Sequence, residues 1–329
     1  MSGGLVKAQP PANIEPSSGR GVSSDGGLAL TDHTVKRDRW GRPWVAYQEE
    51  PLRFEKGRKT PTNAYAARRV SSIGSALEDK SNITPWAQAN AVIGMVRQPA
   101  LMAQVASIAS KFDNPWYVPE AKRPLQGLIR DAERAGGGDN ASGLGTSLHE
   151  FTEIIDSGGS LGYVPAELVP WLEAYEAATA QLKVVGIEEF VVDDELQAAG
   201  SLDRLVQLPD GAVVVSDIKT GASNDRYPLG VTVQCSVYAN SRKYDQATGR
   251  REALHPDLDK SRGLLIHMPL RSGKPQCNFY MLDLADGYER ARLANKVFDA
   301  RKMQALKPID LGLLSEWEEC FSGCVGRDE

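Results

Sequence analysis

Ala212-Val213-Val214-Val215-Ser216-Asp217-Ile218-Lys219-Thr220-Gly221 reads as a β-strand that ends in charge. The valine run implies a strand buried on both faces, and period-two alternation puts Asp217 and Lys219 on one side with Ile218 on the other. A carboxylate and an ammonium are thus set side by side where a dry core meets a cleft. Charge is costly there unless a partner or a metal offsets it. By spacing alone, Asp-x-Lys suits a surface ion pair equally well, so the neighbouring segments decide its meaning.

One strand earlier, residues 196–208 carry Asp203 within Gly200-Ser201-Leu202-Asp203, and Pro209-Asp210-Gly211 supplies the turn of a β-hairpin. Paired in that hairpin, Asp203 and Asp217 can converge on a hard divalent cation, which prefers carboxylate oxygens. Such a cation would polarise a phosphate and activate water, with Lys219 orienting the water or balancing charge. A third strand is expected at 184–192. It contains Glu188 and Glu189, of which alternation lets only one face the cleft; Glu189 is the favoured one.

Further out, helices are expected from near Thr146 or Ser147, where Ser147 and Glu150 have capping-box spacing, and over 165–182. Downstream come a helix over 231–244, strands at 263–268 and 278–282, and an amphipathic helix over 285–306. Gln234, Tyr238 and Arg242 fall on successive turns of one face of the 231–244 helix, where together they could contact the backbone of a bound nucleic acid. Alternatively Tyr238 is core and Gln234 caps a strand end. The order helix, three strands, helix, two strands predicts a mixed α/β (α+β) core.

The N-terminal part differs in composition. Residues 1–35 are rich in Gly, Ser and Pro and read as a flexible arm. Residues 36–142 combine a segment that interleaves Lys36, Arg37, Arg39, Arg42, Lys56, Arg58, Lys59, Arg68 and Arg69 with Trp40, Trp44, Tyr47 and Tyr65, and a helical region over 72–111 read as core helices. The basic-aromatic segment suits a nucleic-acid strand, and equally a solvated basic surface with its rings packed on the body. Gly136 to Gly143 reads as a linker, 143–310 as the core, and 311–329 as a C-terminal tail.

The ordered set Gly145-Thr-Ser-Leu-His149, Gly200-Ser-Leu-Asp203, Asp217-Ile-Lys-Thr-Gly221 and Gln234-Cys-Ser-Val-Tyr238 resembles the RecB-like nucleases of the PD-(D/E)xK superfamily, notably phage-type exonucleases. The likeness covers residues 143–285 closely and the helices from Arg69 onward more loosely. It implies a restriction-endonuclease-like core, a mixed central β-sheet flanked by helices, with an α-rich N-terminal half. It further implies Mg²⁺ or Mn²⁺ held by His149, Asp203, Asp217 and the carbonyl of Ile218, with Asp203, Asp217 and Lys219 catalytic and Gln234 and Tyr238 beside the substrate. The implied activity is hydrolysis of DNA phosphodiester bonds, as an exonuclease of recombination, repair or phage replication. An endonuclease with the same site, or a silent DNA-binding module, are the alternatives. From the residues alone, His149 near a helix start suits a structural role, and Glu153, a turn further on, a solvated one or a place around the metal ligands.

Some relatives hold an iron–sulphur cluster through one cysteine before the core and three after it. Here the first is Cys235, inside the core, so no cluster is expected. Cys320 and Cys324 read as buried small hydrophobes, with a weak metal pair or a disulfide as alternatives. No phosphate-binding Gly-Lys-Ser/Thr loop occurs, so a helicase, or a single-strand annealing partner, would be a separate chain. The net charge of −5 argues against coating nucleic acid by bulk electrostatics but not against a local basic groove. Few cysteines, no secretory leader pattern and no long apolar run predict a reduced, cytoplasmic protein away from membranes.

Overall fold

The computed structural model describes residues 35–138, 140–221, 225–304 and 306. Residues 1–34 of the expected arm, the 311–329 tail and the Cys320/Cys324 pair lie outside the described residues. In chain order the elements are β1 (Trp44–Ala46), β2 (Ala64–Ala66), β3 (Arg68–Arg69), α1 (Val70–Gly74), α2 (Ile83–Arg97), α3 (Pro99–Ala109), α4 (Pro119–Gly136), α5 (Asn140–Asp156) and α6 (Val169–Thr179). Then follow β4 (Lys183–Asp193), β5 (Ala198–Gln207), β6 (Val213–Lys219), α7 (Leu229–Asn240), β7 (Arg242–Tyr244), β8 (Arg251–Glu252), β9 (Leu258–His267), β10 (Asn278–Asp283) and α8 (Leu284–Ala300).

The architecture is mixed α/β: an eight-stranded sheet in the order β10-β9-β6-β5-β4-β7-β8, with β3 alongside β5. β6 pairs with β9 in parallel, and α7 lies in the crossover that a parallel pairing requires. The valines of β6 show why this strand is central. Val213 and Val215 pack with residues of α1, α7 and α8, while Val214 and Ile218 pack with Leu148 of α5 and with Leu172 and Tyr175 of α6. The expected hairpin is present, antiparallel, with Gln207 opposite Val213 and Arg204 opposite Ser216.

Four expectations need correction. α5 begins at Asn140, so Ser147 and Glu150 lie inside the helix and form no cap. Of the glycines in the expected linker, Gly136 ends α4 and serves packing, since a Cβ there would collide with the Asn90 carbonyl oxygen of α2. Just beyond the linker, a Cβ on Gly145 would stand 2.5 Å from Thr220 Oγ1, so glycine lets α5 approach the end of β6 closely. Second, the helix expected over 231–244 stops at Asn240, and Arg242–Tyr244 pairs with β4 as β7. Sheet pairing overrides local periodicity there, and Arg242 leaves the Gln234–Tyr238 face to donate to the Arg251 carbonyl. Third, α8 ends at Ala300, short of the expected 306.

The fourth concerns α2 and α3, which are helical as expected but are not core. Val92, Ile93, Val96 and Met102 are exposed, and the buried contact is a small cluster of Leu101, Leu128 and Ala132 with partly buried Ala91, Met95, Val105 and Ile108. Their apolar residues run around the helices rather than down one stripe, so packing against one neighbour, α4, leaves much of that surface uncovered. Helix α4 and the two- and three-residue strands β1, β2, β7 and β8 were not anticipated. Strands that short carry no readable period.

Among the described residues no single helix is long and apolar enough to cross a membrane; α2 and α3 reach that length only as a pair bent by 104°.

Candidate active site

Asp217 is buried at the α7 side of β6, where Gln234 Nε2 donates to its Oδ1 at 3.0 Å. Lys219 Nζ stands 2.6 Å from Oδ2 and forms an ion pair with it. Burial, then the charge on Asp203, pushes the Asp217 carboxyl up to about 6. Burial works to lower the Lys219 ammonium, but Asp217 and Asp203 outweigh it and hold the group above its ordinary value. Lys219 is therefore a cation here, not a base.

Asp203 immediately precedes Arg204, which pairs with Ser216 of β6, so Asp203 sits beside the end of that ladder near Asp217. Its Oδ2 accepts from the Ile218 N–H at 3.0 Å, which ties the acid of one strand to the backbone between Asp217 and Lys219 on the next. The same oxygen lies 3.6 Å from His149 Nε2. His149 Nε2 in turn faces Glu188 Oε1 at 3.6 Å and Glu153 Oε1 at 3.8 Å. Ligand atoms of His149, Glu153 and Glu188 all fall within 4.8 Å of one another. Burial works to lower the His149 imidazolium, yet Glu188 and Asp203 raise it overall, while burial and Glu188 raise the Glu153 carboxyl.

Glu188 reaches this cluster through an irregularity. In the β4–β5 ladder Ile187 pairs with Arg204 and Glu189 with Leu202, leaving Glu188 and Asp203 opposite each other and unpaired. Glu188 has φ +47°, a left-handed conformation that a residue with a side chain adopts at a cost of about 1–3 kcal/mol. Across the same point, Leu202 and Leu205 of β5, an odd number of residues apart, both pack in the cluster with α1, α7 and α8. The alternation has slipped by one. Glu188 rather than the expected Glu189 therefore faces His149, and Glu189 instead meets Lys243 Nζ at 2.7 Å. Alternation says only that one of the two faces the cleft, and it cannot reveal such a slip. Glu153 is different: its i, i+4 spacing from His149 was visible, and the structure puts it in the cluster.

The remaining expected residues lie close by. Tyr238 is buried, and its hydroxyl would be 3.1 Å from a Cβ at position 200, so the glycine of Gly200-Ser-Leu-Asp203 makes room for it. Burial, with the charges of Asp203 and Asp217, holds the Tyr238 phenol well above its ordinary value. As placed, Gln234 steadies Asp217 and Tyr238 packs behind it; neither side chain points freely into solvent. The Ile218 side chain is buried in the cluster with α5 and α6.

Sequence reasoning passed over Arg204 and His267. Arg204 is fully buried and donates to Asp156 Oδ2 at 2.6 Å, to the Asp203 carbonyl at 2.8 Å and to Thr152 Oγ1 at 3.4 Å. Thr152 Oγ1 donates to the His149 carbonyl, and Tyr175 donates to Asp156. One guanidinium thus links the backbones that carry His149 and Asp203. His267, opposite Lys219 in the parallel ladder, places Nε2 2.6 Å from the Gly221 carbonyl and anchors the turn after Lys219.

The donor set fits a hard divalent cation. Carboxylates and one imidazole suit Mg²⁺ or Mn²⁺, and the charge of Asp203 beside Asp217 leaves the centre with more acid than the Lys219 ammonium alone offsets. Replacing Glu188 with alanine should weaken Mn²⁺ binding by about 10–100-fold, the usual loss for a group that supports a metal centre. Calorimetric titration of Mn²⁺ into the wild type and the variant checks this; equal affinities would place Glu188 outside the centre.

No known family model and no curated protein matches this chain.

Proposed function

We propose that the chain is a divalent-metal-dependent deoxyribonuclease with a RecB-like PD-(D/E)xK core. The supporting observation is the bond from the Ile218 N–H to Asp203 Oδ2, which joins both acids and Lys219 in one centre facing His149. His149, Asp203, Asp217 and the Ile218 carbonyl would hold Mg²⁺ or Mn²⁺, with Glu188 and Glu153 in reach. When bound, the ion polarises the scissile phosphate and supplies a nucleophile at neutral pH. The protein's own groups do the rest. Lys219 keeps its proton and balances the charge that builds on the phosphate, Gln234 orients Asp217, and Tyr238 keeps water from behind it.

Exonucleolytic use in recombination, repair or phage replication is the reading by family analogy, with DNA as partner and any helicase a separate chain. Linear and covalently closed circular DNA, each incubated with Mg²⁺, Mn²⁺ or EDTA, test it with wild type and Lys219→Ala. Metal-dependent shortening of linear DNA, lost on the order of 10²-fold or more in the variant, is expected. Degradation in EDTA, or an unaffected variant, would refute the mechanism. Cutting of the closed circle makes the protein an endonuclease, and binding without cleavage makes it a silent module.

At metal concentrations well below saturation the rate should also fall by about tenfold per unit as pH drops below about 6, because protons then compete with metal for the Asp217 carboxylate. The sign for the metal-free fold is opposite. A raised carboxyl binds its proton more tightly when folded, so the stability this group contributes falls as pH climbs from its unfolded value towards about 6. Parallel pH profiles of cleavage and of metal-free thermal unfolding check both directions.

A further inference from the structure

Residues 36–69 carry ten Lys and Arg against four Asp and Glu, a net +6 on a chain of net −5. Three of those acids are tied to neighbours, Asp38 to Arg42, Glu50 to Arg53 and Glu55 to Arg58. Arg39, Lys56 and Lys59 have no carboxylate partner among the described residues. At the tip of this segment Trp40 is 60% exposed, with the Arg39 guanidinium 3.9 Å and that of Arg42 5.0 Å from its ring centre. Lys36 Nζ lies 5.0 Å from the ring of Phe54, itself exposed. A ring held that far into water adds little to the core.

The tip is nevertheless built rigidly. Asp38 accepts from the Trp40 and Arg42 N–H groups and from Arg42 Nε, closing a turn in which Gly41 takes φ +77°. Gln246 accepts from the Lys36 N–H and donates to the Lys36 and Trp44 carbonyls, and the Ala46 N–H donates to the Tyr244 hydroxyl. The turn is thereby fixed to β7 and the residues that follow it; β7 lies two strands from β5, a lateral offset of about 10 Å at ordinary strand spacing, level with Gly200 in the segment that carries Asp203. Preorganised cations beside an exposed indole match a polyanion whose bases are free to stack; duplex DNA keeps its base faces to itself.

We infer that the Trp40 turn, with Arg39, Arg42 and the Lys36–Phe54 pair, is a binding site for single-stranded nucleic acid that feeds the cleft. The inference takes its choice of partner from the nuclease reading, but its test needs no cleavage. Full-length wild type, Trp40→Ala and Arg39→Gln are titrated in EDTA with labelled oligo(dT), with an abasic oligomer of the same length and with a duplex. Trp40→Ala should weaken oligo(dT) binding roughly tenfold or more and leave the abasic oligomer unchanged. Arg39→Gln should weaken both and lower the slope of log affinity on log salt by about 0.7. Unchanged oligo(dT) affinity in Trp40→Ala, an equal loss on the abasic oligomer, or tighter binding of the duplex would each overturn the inference. Both residues are surface-exposed, so matching thermal midpoints are expected and exclude unfolding as the cause. Cleavage with binding that ignores Trp40 refutes this site alone; oligo(dT) binding through Trp40 without any cleavage refutes the nuclease reading alone.

Discussion

Asp217→Asn is expected to abolish metal-dependent cleavage, by on the order of 10²–10³-fold or more, without unfolding the protein. The asparagine keeps an acceptor for Gln234 Nε2, so the bond that positions residue 217 on β6 survives. What disappears is a buried negative charge that the metal-free fold carries at a cost, since the carboxyl is pushed up to about 6 mainly by burial. Lys219 loses its nearest counter-charge but retains Asp203. The variant should thus show a thermal midpoint in EDTA at or near that of the wild type, and lose the stabilisation that Mn²⁺ gives the wild type. A variant that cleaves normally would remove Asp217 from the reacting centre. One that fails to fold would show that the carboxylate's main work is structural.

The second large effect is on stability. Arg204→Met should cost about 3–5 kcal/mol, because it strands Asp156 as a nearly buried charge with Tyr175 as its remaining hydrogen-bond partner among the described residues. Set against a typical total of about 5–15 kcal/mol, that loss is severe. Removing both charges, in Arg204→Met with Asp156→Leu, should recover most of it, since well-packed apolar groups replace a buried ion pair at little net cost. Urea unfolding of the three proteins decides the matter. Recovery of stability need not restore function: the double variant still lacks the guanidinium links to the Asp203 carbonyl and, through Thr152, to His149. Its Mn²⁺ affinity should stay below that of the wild type, and full recovery of both would show that Arg204 serves stability only.

The exposed α2–α3 surface and the hidden Glu188 mark the two ways in which local patterns mislead. In the first, the helical period does mark α2 and α3, but a period states only that a helix forms. Whether Val92 or Val96 is covered depends on which helices come to lie against it, and α4 covers one side. In the second, alternation along residues 184–192 does not hold, because the ladder breaks at the Glu188–Asp203 position. Arg204 escaped notice for a related reason. A lone arginine in an apolar strand carries no local sign that an aspartate 48 residues away will meet it.

What the amino-acid sequence determined by itself is the run of elements around Asp217 and Lys219: a strand apolar on both faces, a Pro-Asp-Gly turn before it, helices on either side. Those features follow from backbone sterics and side-chain periodicity, which act over a few residues. Which acid turns to His149, what holds His149 and Asp203 in place, and where the Trp40 turn is anchored were decided only by tertiary structure. They depend on strand register, on the close approach that Gly145 permits, and on buried ion pairs between distant segments. Interactions of that kind are settled when elements pack, and no window of sequence contains both partners.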